Sequence, residues 1–460
     1  MMPDFKVYVR EMNCVLILLL LSCTSVQSQA SWNRSIDYNN EVNYALSVLE
    51  AYDSIYIIGI QSYRNDLPYG VIMGLDKNGY ELWHQEITYP DQAFHMSESF
   101  RVRSQIWSSG LLIQTSGVQY KPIIVAHDFS GTEQWRKTYE FDPYTVNFKR
   151  SIRQFHNDTT IVFFNGYYID GNSQYIHRHG YMLIDSLGDE ITRYWFPSEF
   201  NINIPFDIVP FPEGGYMQSI LEIEQGIGVP FEHQLEIKRL DDTFGIIWHK
   251  TLPCEETGSG KFTFDSNKNI YVTWTEDPLI PGECSFWASP AVFSYDSLGN
   301  FRWKYVFNDN PRNRILGNLI TTSEGNIAVC GLDEPGFDPL QWGWIVCIDT
   351  SGILLWDRKY TIKDIPREFG GFFGDIRESS DGKLLVSGNI HDKFPLESSA
   401  ARNNAWLIKA ELDGCIEGHE CEDYSKLTST EKKLSHKRYY TIEKFFFQKF
   451  SMHCIYKWED

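Results

Sequence analysis

The sequence predicts an all-β fold built from repeated blades, and three observations carry this prediction. First, an aspartate, a turn ending in glycine and a tryptophan recur six times along the 460-residue chain. Second, the aspartates are 52 to 57 residues apart, a period that marks a repeat architecture. Third, a weaker seventh copy keeps Glu411 and Gly414 without a tryptophan. The six full copies are Asp76–Gly79–Trp83, Asp128–Gly131–Trp135, Asp185–Gly188–Trp195, Asp241–Gly245–Trp248, Asp296–Gly299–Trp303 and Asp349–Gly352–Trp356.

Each period divides into four short stretches with the composition of β-strands. In the sixth period these stretches are Leu316–Thr322, Ile327–Cys330, Trp344–Ile348 and Leu354–Tyr360. Apolar and polar residues alternate within them, and Gly, Asp and Ser separate them, which is typical of strands joined by hairpins. Four antiparallel strands repeated seven times predict a seven-bladed β-propeller.

The two ends of the repeat region predict how the ring closes. The segment Trp32–Tyr38 matches the fourth strand of the other repeats but has no first three strands before it. The last repeat, Phe372–Gly414, has the first three strands and lacks the fourth. We therefore expect the N-terminal strand to complete the last blade, since closure removes the open edges of a sheet. The predicted propeller covers residues 31–424.

The recurring residues have structural explanations. A large aromatic side chain buries much surface, so each tryptophan is expected to pack between adjacent sheets. Aspartate and glycine favour turns, because Asp caps its own turn and Gly accepts positive φ. The aspartates are not expected to form a metal cluster, because each lies on a different blade.

The first thirty residues have the features of a secretion signal. Lys6 and Arg10 precede an apolar run over residues 15–21, and Ser28-Gln29-Ala30 is a small-residue cleavage site. The run is too short for a permanent transmembrane helix, and no later segment is apolar enough for one. The sequence therefore predicts a secreted or cell-surface protein. An alternative is an outer-membrane lipoprotein anchored through Cys23, which follows Leu20-Leu21-Ser22.

Charge argues against one class of partner. The formal net charge is −20, and such a surface repels phosphate backbones, so no nucleic acid partner is expected. Residues 425–460 differ, because they are basic and carry the apolar patch Phe445–Phe447. This tail is either an amphipathic helix or the product of a reading-frame error.

The segment Ile348–Trp356 resembles the repeat of secreted bacterial β-propellers of the delta-60 or quinoprotein-like kind. The resemblance covers about residues 32–424. It implies export by the type IX route, in which the propeller ends at a cysteine pair and a sorting domain follows. Cys415 and Cys421 are similar to that junction and are expected to form a disulfide, whereas residues 425–460 are not similar to the sorting domain. Quinone-dependent relatives carry an adjacent cysteine pair that this chain lacks, so no cofactor is expected.

The remaining chemistry in the sequence is sparse. Zinc-protease, nucleophile-elbow, phosphate-loop, Cys-x-x-Cys and EF-hand motifs are absent. His177 and His179 have a spacing that suits a metal on one side of a strand, but loop histidines are commoner, and no metal is expected. Cys330 and Cys347 are expected to be buried and reduced, as small apolar residues of a blade.

Three functions are compatible with this fold, because fold alone does not determine function. The sequence favours a monomeric, non-catalytic binding module for an extracellular glycan or protein. The alternatives are a glycan-acting enzyme with carboxylates in the central funnel and a cell-surface scaffold. The connections between second and third strands are expected to form the binding face, because they are long, variable and rich in aromatic residues. The best candidates there are Tyr63, Tyr175, Trp287 and Trp342.

Overall fold

The computed structural model describes fifteen stretches of the chain. They are residues 31–52, 55–65, 67–114, 120–141, 145–154, 159–169, 175–196, 202–224, 232–253, 260–276, 289–307, 314–333, 342–360, 371–391 and 403–417. The predicted signal segment 1–30, the tail 425–460 and Cys421 lie outside the described residues. The described part contains no helix with the length and hydrophobicity that crossing a bilayer requires.

The described residues form seven antiparallel four-stranded sheets, which we number as blades 1 to 7. Blade 1 contains β2 (Val42–Tyr52), β3 (Ile55–Arg64), β4 (Leu67–Leu75) and β5 (Glu81–Ile87). Blade 2 contains β6 (Gln92–Val102), β7 (Gln105–Gln114), β8 (Tyr120–Asp128) and β9 (Glu133–Thr138). Blade 3 contains β10 (Thr145–Gln154), β11 (Thr160–Ile169), β12 (Tyr175–Ile184) and β13 (Glu190–Trp195).

The next blades repeat this arrangement. Blade 4 contains β14 (Ile202–Pro210), β15 (Tyr216–Glu224), β16 (Glu232–Leu240) and β17 (Ile246–Pro253). Blade 5 contains β18 (Phe262–Phe264), β19 (Ile270–Glu276), β20 (Ser289–Tyr295) and β21 (Phe301–Val306). Blade 6 contains β22 (Arg314–Thr321), β23 (Ile327–Asp333), β24 (Trp342–Ile348) and β25 (Leu354–Tyr360). Blade 7 contains β26 (Gly371–Glu378), β27 (Leu384–His391), β28 (Asn403–Ala410) and the N-terminal strand β1 (Trp32–Ile36).

The predicted seven-bladed β-propeller is confirmed, and so is its closure. Strand β1 pairs with β28 in antiparallel register, which sets Ser35 opposite Trp406. The indole Nε1 of Trp406 donates to Asn33 Oδ1 at 2.7 Å. The last blade therefore obtains its outer strand from the beginning of the chain.

Neighbouring blades pack on each other through continuous apolar faces. All seven residues of β23 and all seven of β24 are buried, because both faces of these middle strands are covered by adjacent blades. The outer strand β5 is instead mostly exposed. Cys330 and Cys347 lie in these middle strands, buried and free, as predicted. Cys415 takes part in a disulfide, but its pairing with Cys421 stays a prediction because Cys421 is not described.

The tryptophans act as locks between blades, and this explains why the Gly and Trp of the motif recur together. The Trp83 ring of blade 1 lies against Gly131 in blade 2, where an added Cβ would approach the ring to 2.6 Å. Gly131 also has a φ of +85°, which favours glycine. We call each interface between neighbouring blades a seam. The same contact is present at six of the seven seams, through the pairs Trp32–Gly79, Trp83–Gly131, Trp135–Gly188, Trp248–Gly299, Trp303–Gly352 and Trp356–Gly414.

The seam between blades 3 and 4 has no such lock, and here the sequence prediction was wrong. Trp195 is not equivalent to the other tryptophans. It follows Gly188 by seven residues instead of four, and Thr192 takes the equivalent position, opposite Leu183. Trp195 packs against the apolar cluster between blades 2 and 3, 4.8 Å from the Phe164 ring and 6.2 Å from the Phe141 ring. In blade 4 the position of the turn glycine is taken by Phe244, at φ +65°.

The connections between second and third strands are shorter than predicted, because the strands extend into them. The expected connection Ile60–Gly70 is mostly strand, since β3 continues to Arg64 and β4 begins at Leu67. The expected connection Gly166–Gly180 is likewise occupied by β11 and β12 except at residues 170–174. His177 and His179 therefore belong to strand β12 and not to a loop.

Candidate functional site

The first strand of every blade lies nearest the propeller axis, and most of these strands contain a bulge at an equivalent position. In β6 the irregularity falls between Met96 and Glu98, and in β26 between Phe373 and Asp375. Bulges re-aim side chains and are common near functional sites. At the bulge of each inner strand whose side chains are described, the structure has a polar residue. These residues are Ser47, Glu98, Asp207, Asn318 and Asp375.

The polar residues connect one blade to the next. The carboxylate of Asp375 accepts a hydrogen bond from the Val48 amide of blade 1 at 3.2 Å. It also accepts one from Asn318 Nδ2 of blade 6 at 2.6 Å. Ser47 Oγ in turn accepts the Ser99 amide of blade 2 at 2.9 Å. Asp375 thus joins three blades at the axis.

A guanidinium lies among the axial carboxylates. Arg377 Nη2 lies 3.4 Å from Asp375 Oδ1 and 3.8 Å from Glu98 Oε1, so one side chain contacts acids from two blades. The charges of Asp375 and then Glu98 hold the pKa of Arg377 above its ordinary value, although burial acts in the opposite direction. The Arg377 side chain is 37% exposed, so solvent enters the axial channel as far as the guanidinium.

The third axial acid has its own cation. Lys261 Nζ lies 3.6 Å from Asp207 Oδ1 and donates to the Phe206 carbonyl at 3.1 Å. Lys261 belongs to blade 5 and Asp207 to blade 4, so this pair also bridges a seam. Asp207 is 1% exposed. Each axial acid is therefore held by a cation from the protein itself.

A cavity of about 690 Å³ opens at the same end of the axis as Arg377. Its lining comes from the ends of the first strands and from the turns that follow them, in blades 6, 7, 1 and 2. Because strands in a blade run antiparallel, this face is opposite the connections between second and third strands. The described cavity therefore lies on the other side of the ring from the predicted binding face.

Two glutamates of the cavity wall hold turns of neighbouring blades. Glu378 accepts the Ser323 amide at 2.6 Å, and Glu50 accepts the Ser380 amide at 2.6 Å and the Ser380 hydroxyl at 2.8 Å. Arg101 takes the equivalent position in blade 2, where its Nε donates to the Arg103 carbonyl at 2.9 Å. The wall thus presents carboxylates, hydroxyls and a guanidinium on fixed backbone, a set that suits a ligand rich in hydroxyl groups.

Of the four predicted ligand-binding residues, the structure describes the side chains of Tyr63 and Trp342. Tyr63 is half-buried, with its ring 5.9 Å from Tyr44 and 6.1 Å from His95. Trp342 is 8% exposed and packs under Lys359, whose Nζ is 5.0 Å from the ring centroid. Tyr63 belongs to blade 1 and Trp342 to blade 6. The Tyr175 side chain and Trp287 lie outside the described residues, so this site stays a prediction.

Sequence reasoning missed the axial residues. Glu98, Asp375 and Arg377 belong to no recognised motif. Their spacing is hard to recognise because the number of residues between the inner strand and the next turn differs among blades. One signal was available: a polar residue recurs at a similar place in the first strand of five periods, as Ser47, Glu98, Asp207, Asn318 and Asp375. Among the described residues, no group of three or more His, Cys, Asp or Glu side chains is arranged to hold a metal.

Comparison with known proteins finds distant structural likenesses and no family. No protein-family model and no curated protein matches the chain. A protein of unknown function from Dyadobacter fermentans is similar at 10% identity and TM-score 0.45, over 69% of this chain and 95% of that one. The α-L-arabinanase of Penicillium chrysogenum, solved with arabinobiose, is similar at 10% identity and TM-score 0.44, over 83% and 98%. The β-propeller domain of the Pyrococcus furiosus trilobed protease is similar at 8% identity and TM-score 0.32, over 73% and 96%.

Proposed function

We propose that the protein is a non-catalytic binding module that takes an extracellular glycan in the axial cavity. The observation that carries this proposal is the pairing of every axial acid with a built-in cation beside an open polar cavity. A propeller enzyme acting on glycosidic bonds needs one carboxyl that stays protonated and a second that stays ionised. Glu98 and Asp375 instead share the Arg377 guanidinium, and Asp207 lies beside the Lys261 ammonium of the next blade, contacts that suit a role in holding the ring together.

The extracellular setting is an expectation that rests on the predicted signal segment 1–30. Binding of a protein on the opposite face, through Tyr63, Tyr175, Trp287 and Trp342, is the second proposal for a binding mode. The two modes depend on different residues, so one set of variants separates them.

The test is a screen of neutral, acidic and amino-sugar oligosaccharides against the full chain, followed by titration calorimetry of the best binder. We expect Arg101→Ala to weaken that binding at least tenfold with an unchanged melting temperature, and Glu50→Gln to weaken it as much with a small loss of stability, because Glu50 also holds the Ser380 turn. Lys121→Ala, an exposed change outside the cavity lining, is the control and should have no effect. If affinity survives both cavity variants but is lost when the four aromatic residues become alanine, the ligand binds the opposite face.

A glycan-acting enzyme remains the alternative, and the approach of Glu98 and Asp375 to one guanidinium at the axis favours it. Incubation of the same oligosaccharides with the protein, followed by chromatography of the products, tests this function directly. Turnover that falls more than about 10³-fold in Glu98→Gln or Asp375→Asn would replace the non-catalytic proposal with this one, because general acid–base groups contribute on that scale.

A further inference from the structure

The seam between blades 3 and 4 keeps the positive-φ turn position of the other six but has a bulky residue there instead of glycine. Phe244 holds a φ of +65°, a conformation that is rare for a bulky side chain. Its ring stacks on Tyr181 of blade 3 at 3.6 Å and on Tyr216 of its own blade at 4.7 Å between centroids. Strained backbone of this kind persists only where its surroundings demand it, and it concentrates at switches and sites. The seam is therefore held by an aromatic stack in place of a tryptophan lock.

Two buried carboxyl groups lie on the face of blade 4 that packs against blade 3. Glu222 is 6% exposed and Glu236 is 8% exposed, and both carboxyls lie beside the same ammonium group. Two buried carboxyls that share one site favour a state in which they hold one proton between them. Lys238 Nζ lies 2.5 Å from Glu236 Oε2 and 3.9 Å from Glu222 Oε1. The exposed His249 ring contacts Glu236 Oε1 at 2.8 Å, and Gln234 Nε2 donates to Glu222 Oε2 at 3.1 Å.

With one shared proton this cluster is electrically balanced. The pair then carries a single negative charge, which the Lys238 ammonium neutralises. Burial, followed by the hydrogen bond to Glu236, raises the pKa of Glu222 to about 8. Burial alone would also raise the pKa of Glu236, but hydrogen bonds from Glu222 and Lys238 hold it below its ordinary value. The shared proton therefore remains in place through neutral pH.

Blade 3 offers no second cation to the pair among the described residues that face it. His179 is 1% exposed, and burial lowers its pKa to about 3, so its ring is neutral. Neither ring nitrogen of His179 has a hydrogen-bond partner. Tyr181 is the other titratable group on that strand face, and burial raises its pKa to about 12. On blade 4, Gln218 is fully buried and its side-chain amide has no partner either.

We propose that the blade 3–4 seam is a pH-sensitive latch, held closed by one proton that Glu222 and Glu236 share. When that proton leaves for solvent, two buried carboxylates face each other with only Lys238 to balance them, and the seam opens. Glu222 stands two residues before the end of β15, at the connection to β16, and His179 lies on the strand that follows the β11–β12 connection. The latch lies away from the axis, so it acts independently of what binds there.

The sign of the pH effect follows from the raised pKa of Glu222. Its contribution is fully present below the unfolded value of about 4.5 and is lost progressively as pH rises to about 8. Opening of the seam should therefore become easier by up to about tenfold per pH unit in this window and then level off.

The experiment is hydrogen–deuterium exchange of the full chain at pH 5 to 9, with rates corrected for the intrinsic pH dependence of amide exchange. In the wild type we expect protection of β12 and β16 to fall with pH, while β20 and β24 keep theirs. Glu222→Gln retains a hydrogen-bond donor without a titrating proton, so its protection should not change with pH. Glu213→Gln, an exposed change on the same blade, should behave as the wild type.

Equal pH dependence in the wild type and in Glu222→Gln would overturn the latch, as would a loss of protection shared by all seams. Infrared spectroscopy adds a readout that does not depend on stability. The wild type at pH 7 should show a protonated-carboxyl band that is absent in Glu222→Gln, and its presence in both would assign the proton elsewhere.

Discussion

Six seams of this propeller and the seventh solve the same packing problem in different ways. At the seam of blades 5 and 6 the Trp303 ring lies against Gly352, and its Nε1 donates to the Thr350 carbonyl at 2.9 Å. At the seam of blades 3 and 4 the equivalent positions are Thr192 and Phe244. The tryptophan seams depend on shape and one hydrogen bond, neither of which responds to pH. The seam of blades 3 and 4 depends on an aromatic stack beside a buried carboxyl pair, and we expect that pair to respond to pH. The Trp and Gly of the motif are thus kept at the six seams that they stabilise, and both are replaced at the seam that contains the buried polar cluster.

The largest expected effect comes from removing the strand that closes the ring. Deletion of residues 31–38 removes β1, the Trp32 lock on Gly79 and the bond from Ser31 Oγ, which accepts the Glu417 amide at 2.6 Å. Loss of a buried tryptophan alone costs about 3–5 kcal/mol, and blade 7 also loses its outer ladder. We expect a fall in melting temperature larger than for any single substitution, measured by calorimetry. An unchanged melting temperature would contradict N-terminal closure.

A single lock is expected to contribute nearly as much, and its absence at one seam provides the control. Trp303→Ala should lower the free energy of unfolding by about 3 kcal/mol, because it leaves a cavity against Gly352. Thr192→Ala changes the equivalent, exposed position in blade 3 and should alter stability by less than about 0.5 kcal/mol. Denaturant titration of both variants measures the difference. Similar losses in the two would mean that the tryptophan is not a lock.

The turn glycines allow a smaller and more local test. Gly131→Ala places a Cβ about where the Trp83 ring lies, at a φ of +85°, so we expect a loss of about 1–3 kcal/mol. The matched change is Gly325→Ala, which has the same φ of +85° but nothing within 4 Å of the added Cβ. That variant should lose less. If Gly325→Ala is equally damaging, the requirement for glycine reflects turn geometry alone.

The sequence was sufficient to predict the ring, its seven blades and its closure, because Asp, Gly and Trp repeat with a period that local chemistry explains. It misassigned Trp195, although the longer spacing from Gly188 was visible in the chain. The axial site and the seam cluster were beyond its reach for a physical reason. Glu222 and Glu236 meet through the register of β15 and β16, and Arg377 and Glu98 meet across the closed ring. Such contacts join residues that no local pattern connects.

The smallest effect concerns acid sensitivity at the seam that lacks a tryptophan lock. Burial lowers the pKa of His179 to about 3, well below the unfolded value of about 6.5. In this pH range the His179 ring is protonated in the unfolded chain but neutral in the folded chain. The free energy of unfolding therefore decreases as pH falls from about 6.5 towards 3, by up to about 1.4 kcal/mol per pH unit. His179→Phe keeps the stack on Phe196, which has a 4.9 Å centroid separation, and removes this proton.

Thermal unfolding between pH 7 and pH 4 should show a shallower decline in His179→Phe than in the wild type, whereas His84→Gln, at an exposed histidine, should leave the decline unchanged. Because the shared proton of Glu222 acts with the opposite sign, adding Glu222→Gln to His179→Phe should make the acid decline steeper again than in His179→Phe alone. A steeper acid decline in His179→Phe would show that the buried ring accepts a proton in the folded state, and would contradict its placement as a neutral neighbour of the carboxyl pair.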